Sequence, residues 1–119
     1  PGIVTVASTT ADFNQQSARR IFRELLRAYP GIDAVFAHND RMALGAIQAA
    51  EDAGLRNIVF VGFDATNEAI TAIEEGRMAA TVAQQPTEMG RLAVETVVKY
   101  LNGESVPDQI SVDLALIAR

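Results

Sequence analysis

The sequence has no cysteine and a single histidine, His38, among its 119 residues. The absence of cysteine excludes disulfides, thiolate chemistry and cysteine-ligated zinc. One histidine argues against a histidine metal site and against a histidine-based catalytic triad. No apolar run approaches the roughly 20 residues that a membrane-spanning helix needs. The sequence therefore predicts a protein without a metal site.

Positive charge is also scarce, with a net charge of −5 at pH 7 and a pI near 4.7. Binding to the phosphate backbone of a nucleic acid needs a basic face, so that function is disfavoured. The length suits one domain, and 49% apolar and 21% charged residues are ordinary for a globular protein. Because the chain starts at Pro1 without a methionine or a leader-like segment, we expect its start to be internal to a longer protein.

Short apolar segments with strand character alternate along the chain with segments of helical periodicity. The predicted strands are 3–7, 32–37, 58–61, 79–83 and a half-buried alternating strand over 110–116. The predicted helices are 12–29, 41–53, 67–75 and 86–101, the first with a capping box of Asp12 and Gln15. Such alternation favours parallel strands joined by right-handed crossovers. The predicted fold class is α/β, an open and mostly parallel sheet flanked by helices.

Polar or aromatic side chains follow four of the predicted strands. In an open α/β sheet, ligands bind beyond the carboxyl ends of the strands, so these side chains should meet at one edge. Amides and carboxylates can pair with the hydroxyls of a sugar, and aromatic rings can cover its C–H faces. The candidate ligand-binding residues for such a neutral polyol are Phe13, Asn39, Phe63, Asp64 and Gln84.

Each candidate also has a purely structural interpretation. Asn39 could simply cap the second helix. Asp64 could cap the helix after Thr66 or be a solvated loop acid, and both phenylalanines could belong to the core. Asp40 is assigned to helix capping, because Asn39 already points to the sheet edge.

Phosphate-binding and catalytic motifs are missing from the sequence. No predicted strand is followed by a P-loop or by a dinucleotide-binding glycine pattern. An enzyme would need a nucleophile with a positioned base, or paired carboxylates that face each other. Asp12, Asp40 and Asp64 follow strands as in a receiver domain, but such a domain needs a late sheet lysine, and Lys99 lies in the last predicted helix. We therefore predict a binding protein without a cofactor and not an enzyme.

Four segments, in this order and spacing, resemble the ribose-type periplasmic sugar-binding proteins, which have the type I periplasmic-binding fold. The segments are ASTTADF at 7–13, AVFAHNDRMALGA at 34–46, VGFDAT at 61–66 and ATVAQQP at 80–86. The resemblance covers essentially the whole chain. It implies a flavodoxin-like lobe that is incomplete at its amino end.

The resemblance also implies a role for each candidate residue. Phe13 and Phe63 match the rings that stack on the sugar, and Asn39 and Asp64 match groups that hydrogen-bond its hydroxyls. Gln84 matches the amide at the hinge between two lobes. An arginine at the start of this lobe and the ligand residues of the other lobe have no counterpart in the chain.

By the same resemblance, the chain is the carboxyl-terminal portion of the substrate-binding component of an ABC sugar importer. Residues 1–119 would form a partial lobe, and residues 85–113 would cross into the partner lobe. The implied partners are a ribose-like monosaccharide and a membrane ABC permease, with no nucleic acid. The implied location is periplasmic, or extracellular with a lipid anchor. Because the first strand and helix of the lobe would be missing, we expect the fragment to self-associate or to need upstream residues.

The alternative is the sugar-effector domain of a lac-repressor-family transcriptional regulator, because individual motifs are shared with that family. There the same sugar site would bias DNA binding through a dimer interface. What the resemblance implies for repressors is an insertion before the third strand, and this chain lacks it, because the segment Leu55-Arg56-Asn57 is short. The resemblance therefore favours the importer component.

Overall fold

The computed structural model describes residues 2–119, which form four helices and four strands. The helices are α1 (Gln15–Ala28), α2 (Asp40–Asp52), α3 (Asn67–Glu74) and α4 (Pro86–Leu101). The strands are β1 (Ala34–Phe36), β2 (Val59–Phe63), β3 (Ala80–Ala83) and β4 (Ala115–Ala118). Helices and strands alternate from α1 to β4, as the hydrophobic pattern predicts.

The strands form one sheet in the order β1-β2-β3-β4. β1, β2 and β3 pair in parallel, whereas β4 pairs antiparallel with β3. Parallel pairing brings the carboxyl ends of β1, β2 and β3 to the same edge of the sheet. The predicted fold class, an open and mostly parallel α/β sheet, is confirmed.

The hydrophobic core joins α1, α2 and α3 to the sheet. Alanines at the buried faces of α2 and α3, such as Ala43 and Ala69, are fully inaccessible and allow the elements to approach closely. Phe22 of α1 meets Phe60 of β2 edge to face, with ring centroids 5.9 Å apart. Aromatic pairs of this geometry add about 0.5–1.5 kcal/mol beyond the area they bury. The two rings thus fasten α1 to the centre of the fold.

α1 and α2 are in close contact along their length. Near the start of α1, an added Cβ on Gly45 would overlap the carbonyl oxygen of Gln15. In the middle of α1, Arg19 and Arg23 donate to the Asp52 carboxylate at the end of α2, at 2.7 and 3.4 Å. The hydrogen bond from Arg19 is the largest reason why the pKa of the Asp52 carboxyl is lowered. Such exposed ion pairs orient the helices and contribute little to stability.

The first predicted strand is wrong, and the last predicted strand exists with other bounds. Residues 3–7 form no strand, and Ile3 and Val4 are almost wholly exposed. A strand needs a hydrogen-bonded neighbour, and this segment does not pair with β1 at the sheet edge. The last strand is Ala115–Ala118 and not 110–116, because only those four residues lie opposite β3. It is mostly exposed and not half-buried.

The first helix begins at Gln15 and not at Asp12. Asn14 is its N-cap, and the Asn14 side chain accepts a hydrogen bond from the Ser17 amide at 2.9 Å. Asp12 and Phe13 have φ angles of 52° and 54°, which a helix cannot accommodate. The predicted capping box of Asp12 and Gln15 is therefore wrong.

α4 stands apart from the core. All sixteen of its residues are described, and none is buried. Its exposed large apolar residues are Met89, Val94, Val97, Val98, Tyr100 and Leu101. The radius of gyration is 17.9 Å, whereas a compact domain of this length has about 13–14 Å. Across residues 2–119, no helix is long and apolar enough to cross a membrane.

Candidate functional site

Three of the candidate residues lie in the loops that follow the parallel strands. Asn39 lies between β1 and α2, Asp64 follows the last residue of β2, and Gln84 follows the last residue of β3. Since these strands are parallel neighbours, the three residues lie at one edge of the sheet. The sequence-based expectation of a common edge for these three is confirmed by the topology.

Asp64 and Gln84 are in direct contact. The Gln84 Nε2 group donates to Asp64 Oδ1 at 2.7 Å. Asp64 is exposed and Gln84 is half-buried, so the pair faces solvent at the sheet edge. Asp64 does not cap α3, because the N-cap is Thr66, whose hydroxyl accepts from the Ala69 amide at 3.3 Å. The Asp64 carboxylate and the Gln84 amide thus form a polar pair that a ligand can join.

Asn39 is the N-cap of α2 as well as a candidate ligand residue. Its Oδ1 atom accepts from the Met42 amide at 2.9 Å, and the residue is 8% exposed. The structural interpretation of Asn39 as a helix cap is therefore confirmed. Only the oxygen of the side-chain amide takes part in the cap, so its NH2 group can still donate to a ligand.

The two candidate phenylalanines differ in their surroundings. Phe13 is 66% exposed, which rules out a place in the core, and Phe63 at the end of β2 is half-buried. Phe13 comes from the separate loop before α1. Within residues 2–119, no aromatic pair joins Phe13 to another ring. The ring of Phe13 is thus an exposed apolar surface and, within residues 2–119, is not part of an aromatic cluster.

Strained backbone is concentrated in the loops that carry two of these residues. Among residues 2–119, the non-glycine residues with positive φ are Asp12 (52°), Phe13 (54°), Asp64 (113°) and Ala65 (55°). Such conformations cost of the order of 1–3 kcal/mol each and persist where the surroundings enforce them. Because they cluster at binding sites more than elsewhere, their positions support Phe13 and Asp64 as functional residues.

The capping role predicted for Asp40 is wrong, because Asn39 is the N-cap of α2. Asp40 is the first residue of α2, but it is fully buried and does not provide the cap. Its Oδ1 atom accepts from the Thr81 hydroxyl at 2.6 Å, and its Oδ2 atom accepts from the Thr66 amide at 2.7 Å. Sequence reasoning missed Thr81 altogether. The signal available in the sequence was a glycine, Gly62, inside the apolar run of β2, since such a glycine often marks a close approach of another group. In the structure, an added Cβ on Gly62 would overlap Asp40 Oδ1.

Comparison with known proteins places these features in a family. The sequence model of a family described as "Periplasmic binding protein domain" matches residues 1–105. The chain is 43% identical over 114 residues to the ribose import binding protein of Escherichia coli (strain K12), which covers 96% of this chain and 38% of that protein. It is 41% identical over 111 residues to the ribose import binding protein of Bacillus subtilis (strain 168), covering 93% and 36%.

Two solved structures of ABC transporter solute binding proteins also resemble this chain in fold. A periplasmic solute binding protein of an ABC transporter from Actinobacillus succinogenes 130z, with bound D-allose, superposes with a TM-score of 0.85 at 33% identity. The match covers 95% of this chain and 40% of that one. A solute binding protein from Bacillus halodurans C-125 with bound myo-inositol has a TM-score of 0.83 at 36% identity, covering 97% and 40%.

The chain therefore spans 38% of the length of the Escherichia coli relative. The family match extends over most of the chain, and the superposed structures share its sheet and helices. The expected resemblance to ribose-type periplasmic sugar-binding proteins is confirmed at the level of sequence and fold. The chain belongs to the periplasmic binding protein domain family.

Proposed function

We propose that this chain is the carboxyl-terminal part of the substrate-binding component of an ABC sugar importer. The observation that carries the proposal is the Asp64–Gln84 pair, joined at 2.7 Å at the sheet edge beside Asn39. Ribose import binding proteins are among the chain's relatives, which supports a ribose-like monosaccharide as the ligand. The proposed activity is binding and not catalysis.

The chemistry of the site fits a neutral sugar. Asp64 would accept hydrogen bonds from two ring hydroxyls, and Gln84 would share its amide between Asp64 and the sugar. Asn39 would donate through the NH2 group that its capping role leaves free. The exposed ring of Phe13 and the half-exposed ring of Phe63 would cover the C–H faces of the sugar.

The mechanism would be closure of two lobes on one monosaccharide, with contacts from both lobes selecting the closed state. We assign α1 to α3 and the sheet to one lobe, and residues 85–113 to a crossover into the partner lobe. The exposed apolar residues of α4 and the elongated shape support this division. A helix that buries none of its residues gains stability only when another surface covers its apolar face.

The proposed location is the periplasm or the extracellular surface, and the proposed protein partner is a membrane ABC permease. The names of the relatives, which describe import and periplasmic binding, support this location. They also favour the importer component over a lac-repressor-type regulator. A secretory or lipoprotein signal upstream in the full-length protein would agree with the importer, and an upstream helix-turn-helix would agree with the regulator.

Calorimetric titration of the full-length protein tests the proposed function. The panel is D-ribose, D-allose and myo-inositol, with injections of each sugar into buffer as the blank. We expect at least one to bind with micromolar or tighter affinity, which corresponds to about 8 kcal/mol. Absence of binding to every sugar of the panel would contradict the proposal.

A second prediction concerns the isolated 119-residue chain, which we expect to self-associate. The apolar residues of α4 are exposed, and β1 lies at a sheet edge whose unpaired backbone groups can pair with another chain. Light scattering should therefore report dimers or larger species whose population rises with concentration. A well-folded monomer with cooperative melting would show that α4 needs no partner lobe.

A further inference from the structure

We propose that Asp40 and Thr81 are positioning residues that hold the Asp64 loop in the geometry needed to bind a ligand. The inference rests on the proposed function, because it concerns the same site. Asp40 is fully buried and Thr81 is fully buried, so neither can touch a ligand directly. Their hydrogen bonds nevertheless end on the loop that carries the exposed Asp64 carboxylate.

Three consecutive backbone amides of this loop have partners outside the loop. The Asp64 amide donates to the Val82 carbonyl at 2.8 Å. The Ala65 amide donates to the Thr81 hydroxyl oxygen at 3.2 Å, and the Thr66 amide donates to Asp40 Oδ2 at 2.7 Å. The Thr81 hydroxyl in turn donates to Asp40 Oδ1 at 2.6 Å. The buried Thr81 hydroxyl thus holds the Ala65 amide, and the buried Asp40 carboxylate holds the Thr66 amide.

The loop needs these restraints because its backbone is strained. Asp64 and Ala65 have φ angles of 113° and 55°, which non-glycine residues rarely adopt. Without partners for the amides of Ala65 and Thr66, the loop would relax to ordinary φ angles. The Asp64 side chain would then point elsewhere, even though nothing in the binding surface itself had been changed.

The same network connects the three candidate segments of the sheet edge. Asp40 follows Asn39 directly, Thr66 lies two residues after Asp64, and Thr81 lies on the strand that ends before Gln84. Gly62 completes the arrangement, because a Cβ there would overlap the Asp40 carboxylate. The network therefore sets the positions of all three segments relative to one another.

The test compares two substitutions of Thr81 in the full-length protein. Thr81→Val keeps the shape of the side chain but removes the hydroxyl that donates to Asp40 and accepts from Ala65. Thr81→Ser keeps the hydroxyl and removes only a methyl group. By titration with D-ribose, D-allose and myo-inositol, we expect Thr81→Val to weaken binding at least about tenfold, because the Asp40 carboxylate and the Ala65 amide each lose a buried hydrogen-bond partner. Thr81→Ser should bind within a few-fold of the parent.

Hydrogen exchange of the ligand-free protein separates positioning from general destabilisation. Thr81→Val should lose protection at the amides of Ala65 and Thr66, while the Val59 and Ala37 amides of the β1–β2 ladder stay protected. Should Thr81→Val prove too unstable to study, Asp40→Asn gives a second route. It turns one acceptor of the carboxylate into a donor, and the same selective loss of protection and of affinity is expected.

The possible results distinguish a failure of the positioning role from a failure of the proposed function. Unchanged affinity in Thr81→Val, or a loss of affinity accompanied by uniform loss of protection in the whole sheet, would overturn the positioning role and leave the proposed function standing. Equal losses in Thr81→Val and Thr81→Ser would also overturn it, because the hydroxyl would then not matter. If the parent itself binds no sugar of the panel, the proposed function fails and the positioning role falls with it.

Discussion

Replacement of Asp64 by alanine in the full-length protein is expected to weaken sugar binding by about tenfold to a thousandfold. The substitution removes a carboxylate that would accept two sugar hydroxyls, and each unsatisfied polar group costs roughly 1–3 kcal/mol. A complex of micromolar affinity has only about 8 kcal/mol of binding free energy, so such a loss is large. It also leaves the Gln84 amide without its 2.7 Å partner.

Calorimetric titration with the sugar that the parent binds most tightly measures this loss. Asp33→Ala is the matched control, because Asp33 is an exposed aspartate just before β1, at the opposite edge of the sheet. The control should keep the parent affinity. If Asp64→Ala binds every sugar as tightly as the parent does, Asp64 is not a ligand residue.

The sequence allowed the central part of the fold to be predicted, because its elements are encoded locally. The stripe of apolar residues in α1 and the apolar run of β2 are visible from their spacing alone. Because parallel strands end at the same edge of a sheet, the predicted parallel pairing also indicates which loops lie together. Asn39, Asp64 and Gln84 could therefore be placed at one edge without coordinates. Residues 3–7 have equally good strand composition, yet no neighbouring strand pairs with them, and pairing is not a local property.

The buried network at the site could not be predicted for a similar reason. Asp40 looks like an ordinary helix-start acid, and Thr81 looks like an ordinary strand residue. Their contact joins residues 41 positions apart and depends on how the start of α2 is placed relative to β3. Left-handed backbone at Asp64 and Ala65 is equally invisible in the sequence, because neither residue is glycine. Long-range contacts of this kind decide how a binding group is held, whereas local patterns indicate only that it is present.

Replacement of Gly45 by alanine is expected to destabilise the protein by about 1–3 kcal/mol, the usual cost of overfilling a packed interface. In a helix, alanine is normally preferred to glycine by about 1 kcal/mol, so a simple propensity argument predicts the opposite sign. The structural reason is the contact with α1. An added Cβ would overlap the Gln15 carbonyl oxygen and lie 3.1 Å from both Ala18 Cβ and the Arg19 amide nitrogen.

Two of those three neighbours are backbone atoms of a helix, so they can give way only if α1 moves as a whole. Urea denaturation of the full-length protein measures the effect, with Gly31→Ala as the control. An added Cβ on Gly31 has no neighbour within 4 Å, and its backbone does not have a positive φ. Increased stability in Gly45→Ala would contradict the prediction. A shift of α1 would also displace the loop with Phe13, so Gly45→Ala should weaken sugar binding even where the protein stays folded.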